Sequence, residues 1–449
     1  MSRSAGFLAS ILAATTVALS LYAWHEHRQL DGQAIIVQKA ELLESDNDSL
    51  HAALATAERK ADDAQNAARR AQIERTVSAI RELPFKHPVV YETLDRAGIR
   101  GIVAGKLSEI YTDQEIRDMS TGYAAFGLLP PNYDLKQEYV NLLGEQIGAF
   151  YDQHVHKLFM FRDSTLENAQ NRVILAHELT HALQDQNFGL LNMALEIKNN
   201  DDRAAAASAL IEGDATLVMS QYMVSDMSWR TLADTAVFSA TQSMVEMRRA
   251  PRFLREMLVF PYIQGQQFCS TIFREGGFPA LSAVYRDPPS STAQILHPDE
   301  YSNHEEPISI PIAETAVQGQ KPLEDNVLGE MGCRILFSQY GDESTAPGIA
   351  AGWRGDRYLV YDGGKSLVWY TVWRDRAALQ SALGALSAMC MSRFHIQVIR
   401  DGDELVASND ANHTIRIQVL NANEVVFILA PNQKSAQQLH NQFAGAANG

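Results

Sequence analysis

His177-Glu178-Leu179-Thr180-His181 is the stretch of the chain whose residue types and spacing speak most directly of chemistry. On an α-helix, positions four apart differ by about 40° in azimuth, so both imidazoles project from one face. Neutral imidazole suits a zinc ion, and this spacing sets two ring nitrogens at roughly 2 Å from one ion. Glu178 falls on the adjoining flank, where a carboxylate takes a proton from zinc-polarised water and hands it to a leaving amine. The neighbours Val173, Ile174, Leu175, Ala176, Leu179, Ala182 and Leu183 predict a largely buried helix. Such a helix does not normally carry two histidines and a glutamate on one side unless they are paired or metallated. A hydrogen-bonded pair of core histidines is the bland alternative.

A catalytic zinc needs a third protein ligand and an open position. Glu212, in the apolar run Ala209-Leu210-Ile211-Glu212-Gly213-Asp214-Ala215, is the best candidate. It lies far enough beyond His181 for the chain to reverse and pack a second helix against the first. Asp214 is its rival. Two residues apart on a helix means about 200°, so only one of the pair can face the metal. The longer glutamate side chain more easily crosses a helix–helix gap of about 8–10 Å.

The run His177-Glu178-Leu179-Thr180-His181-Ala182-Leu183-Gln184-Asp185-Gln186, followed by Glu212-Gly213-Asp214-Ala215, resembles the bacterial neutral zinc metallopeptidases of gluzincin type. Gln294-Ile295-Leu296-His297-Pro298 and Ala351-Gly352-Trp353-Arg354-Gly355-Asp356-Arg357-Tyr358 look similar to the same family, so the resemblance spans about residue 85 to the 370s. It implies a zincin-like fold, one zinc per chain held by His177, His181 and Glu212, and Glu178 as general base. One departure stands out. Thermolysin-like members place an aspartate four residues after the ligand glutamate to orient a zinc histidine; here that position is Thr216, which leaves the surroundings of the ligands open.

Gly148 to Phe161 reads as a β-hairpin turning around Asp152 to Val155. Zincin-like folds keep an edge strand beside the cleft, to which an extended substrate adds as a further strand. His154 and His156 share a face of an extended segment, either as a second metal site or as exposed hairpin polar residues. An oxyanion needs a donor, for which Tyr151, His156 and Tyr222 are the candidates. Asp185, four residues after His181, is either a partner of the ligand histidines or a solvated last-turn carboxylate.

The elements that must position these groups follow from patterning. Helices are expected over about 166–187, closed by Phe188-Gly189, and over about 202–225, opening on Asp201-Asp202. Residues from about 85 to 146 read as helices with breaks, including a turn at Pro130-Pro131. Pro288-Pro289 begins an irregular stretch to about residue 320. Beyond it the texture is α+β, with strands over 357–361, 366–373, 394–399, 414–420 and 425–429, a helix over 375–389 and a short closing helix.

Ahead of this region, Ser4 to Trp24 holds no charged residue, and at about 1.5 Å per residue it matches a hydrocarbon core about 30 Å thick. The expectation is an uncleaved anchor over 1–24 rather than a removed signal peptide, with Arg3 on the cytoplasmic side. A coiled-coil helix is expected over 30–80. Its seam is Ala40, Leu43, Asn47, Leu50, Leu54, Ala57, Ala61, Ala64, Ala68 and Ala71, with Asn47 fixing register in a homodimer; a solvated spacer helix is the alternative. Leu83-Pro84 ends it.

The expected organisation is therefore α+β. An anchor and coiled coil precede a mainly helical zincin-like domain over 85–300 with a small edge hairpin, and a smaller α+β domain over 301–449 follows. The net charge of −16 argues against a nucleic-acid partner. Cys269, Cys333 and Cys390 form no CxxC pair and leave the compartment undecided. These readings converge on a zinc metallopeptidase acting on protein or peptide substrates, single-pass in a bacterial cell membrane with its catalytic region extracytoplasmic. Two alternatives stay open: an envelope scaffold with a structural zinc site, and a zinc amidase acting on cell-wall peptides.

Overall fold

Leu83-Pro84 stops the long polar helix as expected: helix α1 runs Gln33–Arg81, and Glu82 leaves it at φ 58°. The computed structural model describes residues 33–146, 148–161, 164–226, 249–311, 321–401, 404–408 and 413–444. Two compact units divide the chain, residues 1–72 and 73–449. In the first, α1 is a solvated helix whose seam leucines Leu43 and Leu50 are 44% and 48% exposed.

The anchor expected over residues 1–24 lies outside the described residues. Among the described residues no helix is long and apolar enough to cross a membrane. The membrane-anchored architecture and the single-pass placement are therefore corrected. Helix α1 cannot supply the span, because Lys39, Glu41, Glu44, Asp46 and Asp48 interrupt its early turns. The α+β character stands.

In the second unit, strand β1 (Val90–Leu94) leads into α2 (Arg96–Ile110), α3 (Asp113–Phe126) and α4 (Leu135–Gln146). The hairpin follows as β2 (Ala149–Asp152) and β3 (Lys157–Phe161). Then come α5 (Ala169–Phe188), α6 (Asp201–Asp226) and α7 (Arg252–Val284), the last kinked at Gly276–Gly277. The three strands form a sheet in the order β1-β3-β2, with β1 parallel and β2 antiparallel to β3, so β2 is an edge.

Short helices α8 (Thr292–Leu296) and α9 (Pro298–Ser302) occupy the proline-rich stretch. Next are β4 (Glu324–Asn326), α10 (Gly329–Tyr340), α11 (Ala346–Ala350), β5 (Trp353–Tyr361), β6 (Ser366–Trp373), α12 (Arg376–Phe394), β7 (Ile399–Asp401), β8 (Glu404–Ser408), β9 (Thr414–Val419), β10 (Glu424–Ala430) and α13 (Gln433–Ala444). The strands form a seven-stranded antiparallel sheet in the order β4-β5-β6-β10-β9-β8-β7. The strand expected over 394–399 is displaced: α12 continues to Phe394, His395 turns the chain at φ 57°, and pairing starts at Ile399.

One apolar cluster runs through the second unit, taking in Leu179 and Leu183 of α5, Phe268 of α7, Leu336 of α10 and Trp369 of β6. Residues on both sides of position 300 thus share a core. Asp356 ties the second sheet to α10, accepting from Leu328 N (2.9 Å), Gly329 N (2.8 Å), Trp353 Nε1 (2.9 Å) and Trp369 Nε1 (2.9 Å). Four donors on one carboxylate satisfy its buried oxygens.

Candidate metal centre

Helix α5 is bounded by local chemistry. Asn168 caps it by accepting from Gln170 N at 2.9 Å, and Gly189 closes it at φ 74°, donating its N–H to Asp185 O at 2.8 Å. Leu175, Ala176, Leu179, Ala182 and Leu183 are fully buried, so the helix is held on nearly every side and its polar face is fixed in direction.

Helix α6 packs against α5, and α7 crosses α6 at very close range. A Cβ on Gly213 would stand 2.2 Å from the carbonyl carbon of Gly265, and one on Gly265 would stand 2.1 Å from Ala209 O. Only glycine permits that approach.

The structure brings His177, His181 and Glu212 together. His177 Nε2 lies 3.1 Å from His181 Nε2 and 3.1 Å from Glu212 Oε2; His181 Nε2 lies 3.5 Å from Glu212 Oε2. Three ligands at about 2.1 Å on a tetrahedron stand about 3.4 Å from one another, so the triangle has the dimensions of a zinc ligand set. The imidazole planes are at 90°. The histidine side chains are 11% exposed and that of Glu212 is 21% exposed, which leaves an approach from solvent.

His181 and Glu212 shift each other as a charge pair. Burial works against a charged His181, yet the Glu212 carboxylate raises its pKa to about 9. Burial likewise works against a charged Glu212, but His181 and His177 hold it below the usual carboxylate range. Two imidazoles with one carboxylate are a donor set that could hold a metal ion.

Glu178 is half-buried on the flank and its Oε2 accepts from Tyr151 N at 2.8 Å. Burial raises its pKa, against the lowering effect of His181 and His177. Asp214 turns the other way. Fully buried, it pairs with Arg81, whose Nε lies 2.8 and 3.0 Å from its two oxygens, and accepts from Tyr285 Oη at 2.8 Å.

The remaining candidates fall elsewhere. Tyr151 Oη donates to Asp185 Oδ2 at 2.7 Å, and His156 Nδ1 contacts the same oxygen at 2.7 Å. Asp185 also accepts from Leu190 N. It therefore organises the hairpin tip rather than the ligand histidines. His154 pairs with Glu196 at 2.7 Å, so the two hairpin histidines turn to different acids. Tyr222 is 2% exposed in the apolar core.

Sequence reasoning missed Tyr262 of α7. Its ring lies 6.1 Å from that of His177 at 29°, and is 44% exposed. The Glu212 charge first, then burial, Glu178 and a hydrogen bond to Glu212, raise its pKa well above the usual phenol value, so it remains an O–H donor beside the cluster. Its only sequence signal is Gly265 three residues on, the crossing point with α6.

A family model described as "Domain of unknown function (DUF8575)" matches residues 317–440, a stretch wholly C-terminal to this centre. No curated protein and no solved structure matches the chain. These comparisons assign no activity.

Proposed function

We propose that the chain is a zinc-dependent peptidase that hydrolyses peptide bonds in protein or peptide substrates. The reading rests on one observation: three ligand atoms converge at tetrahedral spacing while a further carboxylate, Glu178, stands outside the triangle. A purely structural site has no use for that extra base.

His177, His181 and Glu212 would hold the ion. Zinc bound there lowers the pKa of water to about 7 and polarises a carbonyl. Glu178 takes a proton from the attacking water as its oxygen adds to the carbonyl carbon. It then delivers that proton to the amide nitrogen as the C–N bond breaks. The Tyr262 O–H donates to the oxygen on which negative charge develops.

The hairpin supports an extended substrate. Gly148 O faces β3, accepting from Phe161 N, whereas Tyr151 N faces the open side towards Glu178. Alternation along an antiparallel strand puts the backbone groups of Ala149 and Tyr151 on that open side. The Tyr151 N–H is taken by the general base itself, so a peptide added along Ala149 runs up to Glu178.

Purified protein is expected to hold about one zinc per chain, matching the single ligand set among the described residues. Glu178→Gln is expected to keep the metal and lose at least ~10²-fold in peptide cleavage. Full activity in that variant would falsify the mechanism. We also propose that α1 pairs with a second copy through the Ala40–Ala71 seam. Sedimentation of the full chain is expected to show a dimer that Leu50→Glu dissociates; a monomeric wild type would leave α1 a spacer.

A further inference from the structure

We propose that Arg81, Asp214 and Gln184 form a relay that fixes the tautomer and direction of the His181 ring, making the end of α1 part of the metal centre. The proposal rests on the zinc reading above. Gln184 is fully buried, one turn beyond His181 on α5. Its side-chain nitrogen donates to Ile211 O at 3.0 Å and to Asp214 Oδ2 at 3.1 Å. A carbonyl and a carboxylate only accept, so the amide nitrogen must face them and the amide oxygen must face the other way.

That oxygen, Oε1, lies 2.8 Å from His181 Nδ1. It can only accept, so Nδ1 carries the proton in the neutral ring and the lone pair is left on Nε2. Nε2 is the atom that points at His177 Nε2 and Glu212. A ring flipped, or protonated on Nε2 alone, would turn a donor into the place of a ligand.

Asp214 does this only while it is held. Arg81 and Asp214 are both fully buried and paired, and Arg81 Nη1 also donates to Ser282 Oγ at 3.0 Å. The guanidinium lies 4.9 Å from the Phe278 ring centroid and 5.8 Å from that of Phe188. Arg81 is the last residue of α1. By contrast, His177 Nδ1 is buried with no hydrogen-bond partner among the described residues. The two histidines are therefore oriented unequally, His181 by a hydrogen-bond chain and His177 by packing beside Tyr262.

The test measures Zn²⁺ affinity of the full chain by chelator competition, with the visible spectrum of the Co²⁺-loaded protein as a check on ligand geometry. Gln184→Leu is expected to weaken binding about 10- to 100-fold. Gln184→Glu keeps an acceptor for His181 but sets a carboxylate against Asp214, and weakens binding too. Adding Asp214→Asn to that variant restores a donor facing the introduced carboxylate. Ile211 O still faces the introduced carboxylate, so the pair is expected to recover part of the lost affinity, a coupling that packing alone does not give. Unchanged affinity in Gln184→Leu, alongside loss in Glu212→Gln, overturns the relay and leaves the zinc reading standing. If Gln184→Leu does not fold, the paired variants decide: weakened binding in Gln184→Glu without rescue overturns the relay. A wild type that takes up no zinc overturns the zinc reading, and the relay with it.

Discussion

Gly213 and Gly265 meet backbone to backbone: a Cβ on the first would lie 2.2 Å from the carbonyl carbon of the second. Gly213 follows Glu212, and Gly265 lies one turn beyond Tyr262, so the same crossing sets the carboxylate and the phenol side by side. Gly265→Ala is expected to push α6 and α7 apart, at a cost of about 1–3 kcal/mol for overpacking. Zinc affinity is expected to fall with it. Thermal unfolding and metal titration check both, and an alanine variant with wild-type affinity would separate the crossing from the site.

Tyr262→Phe removes one hydroxyl from the cleft. If that hydroxyl donates to the developing oxyanion, kcat is expected to fall roughly 10²-fold, the low end for such donors. KM and zinc content are expected to stay close to wild type. A rise in KM at constant kcat would make Tyr262 a substrate-binding residue instead.

Asp202 is expected to make the stability of the unit depend on pH. Burial raises its pKa to about 7, against the donors Thr292 N and Oγ1 and with repulsion from Asp356 and Glu330 adding to the shift. A carboxyl whose folded pKa lies above its ordinary 3.8 binds its proton more tightly when folded. Its stabilising contribution is complete below that ordinary value and is lost as pH rises through the folded value. Wild type is therefore expected to lose stability relative to Asp202→Asn between about pH 4 and pH 7, in urea unfolding across that range. Parallel profiles would place the Asp202 carboxyl in an ordinary environment.

Much of the site was legible because its signals are local. Two histidines four apart and the closing Phe188-Gly189 are written in α5 and its C-terminal boundary. Glu212 is preferred to Asp214 in part for its longer side chain, and the structure turns Asp214 towards Arg81. What escaped depends on partners distant in sequence. Arg81 acts across 133 positions, and Tyr262 reaches the site only through the Gly213–Gly265 crossing. From sequence, strand β1 falls within a helical stretch because Val90-Tyr91-Glu92-Thr93-Leu94 is too short for a clear period; its strand character comes from parallel pairing with β3. The strand placed over 394–399 failed for a related reason: Phe394 and Val398 pack on the core from a helix end and a loop.

The shared hold of Asp356 on two indoles gives the molecule a built-in optical reporter. Trp353 and Trp369 are at most 1% exposed, and both donate to that carboxylate. Trp24, Trp229 and Trp373 contribute to the same emission, so replacing those three by Phe isolates the buried pair. The emission of that variant is expected to shift to the red when the sheet-bearing half opens.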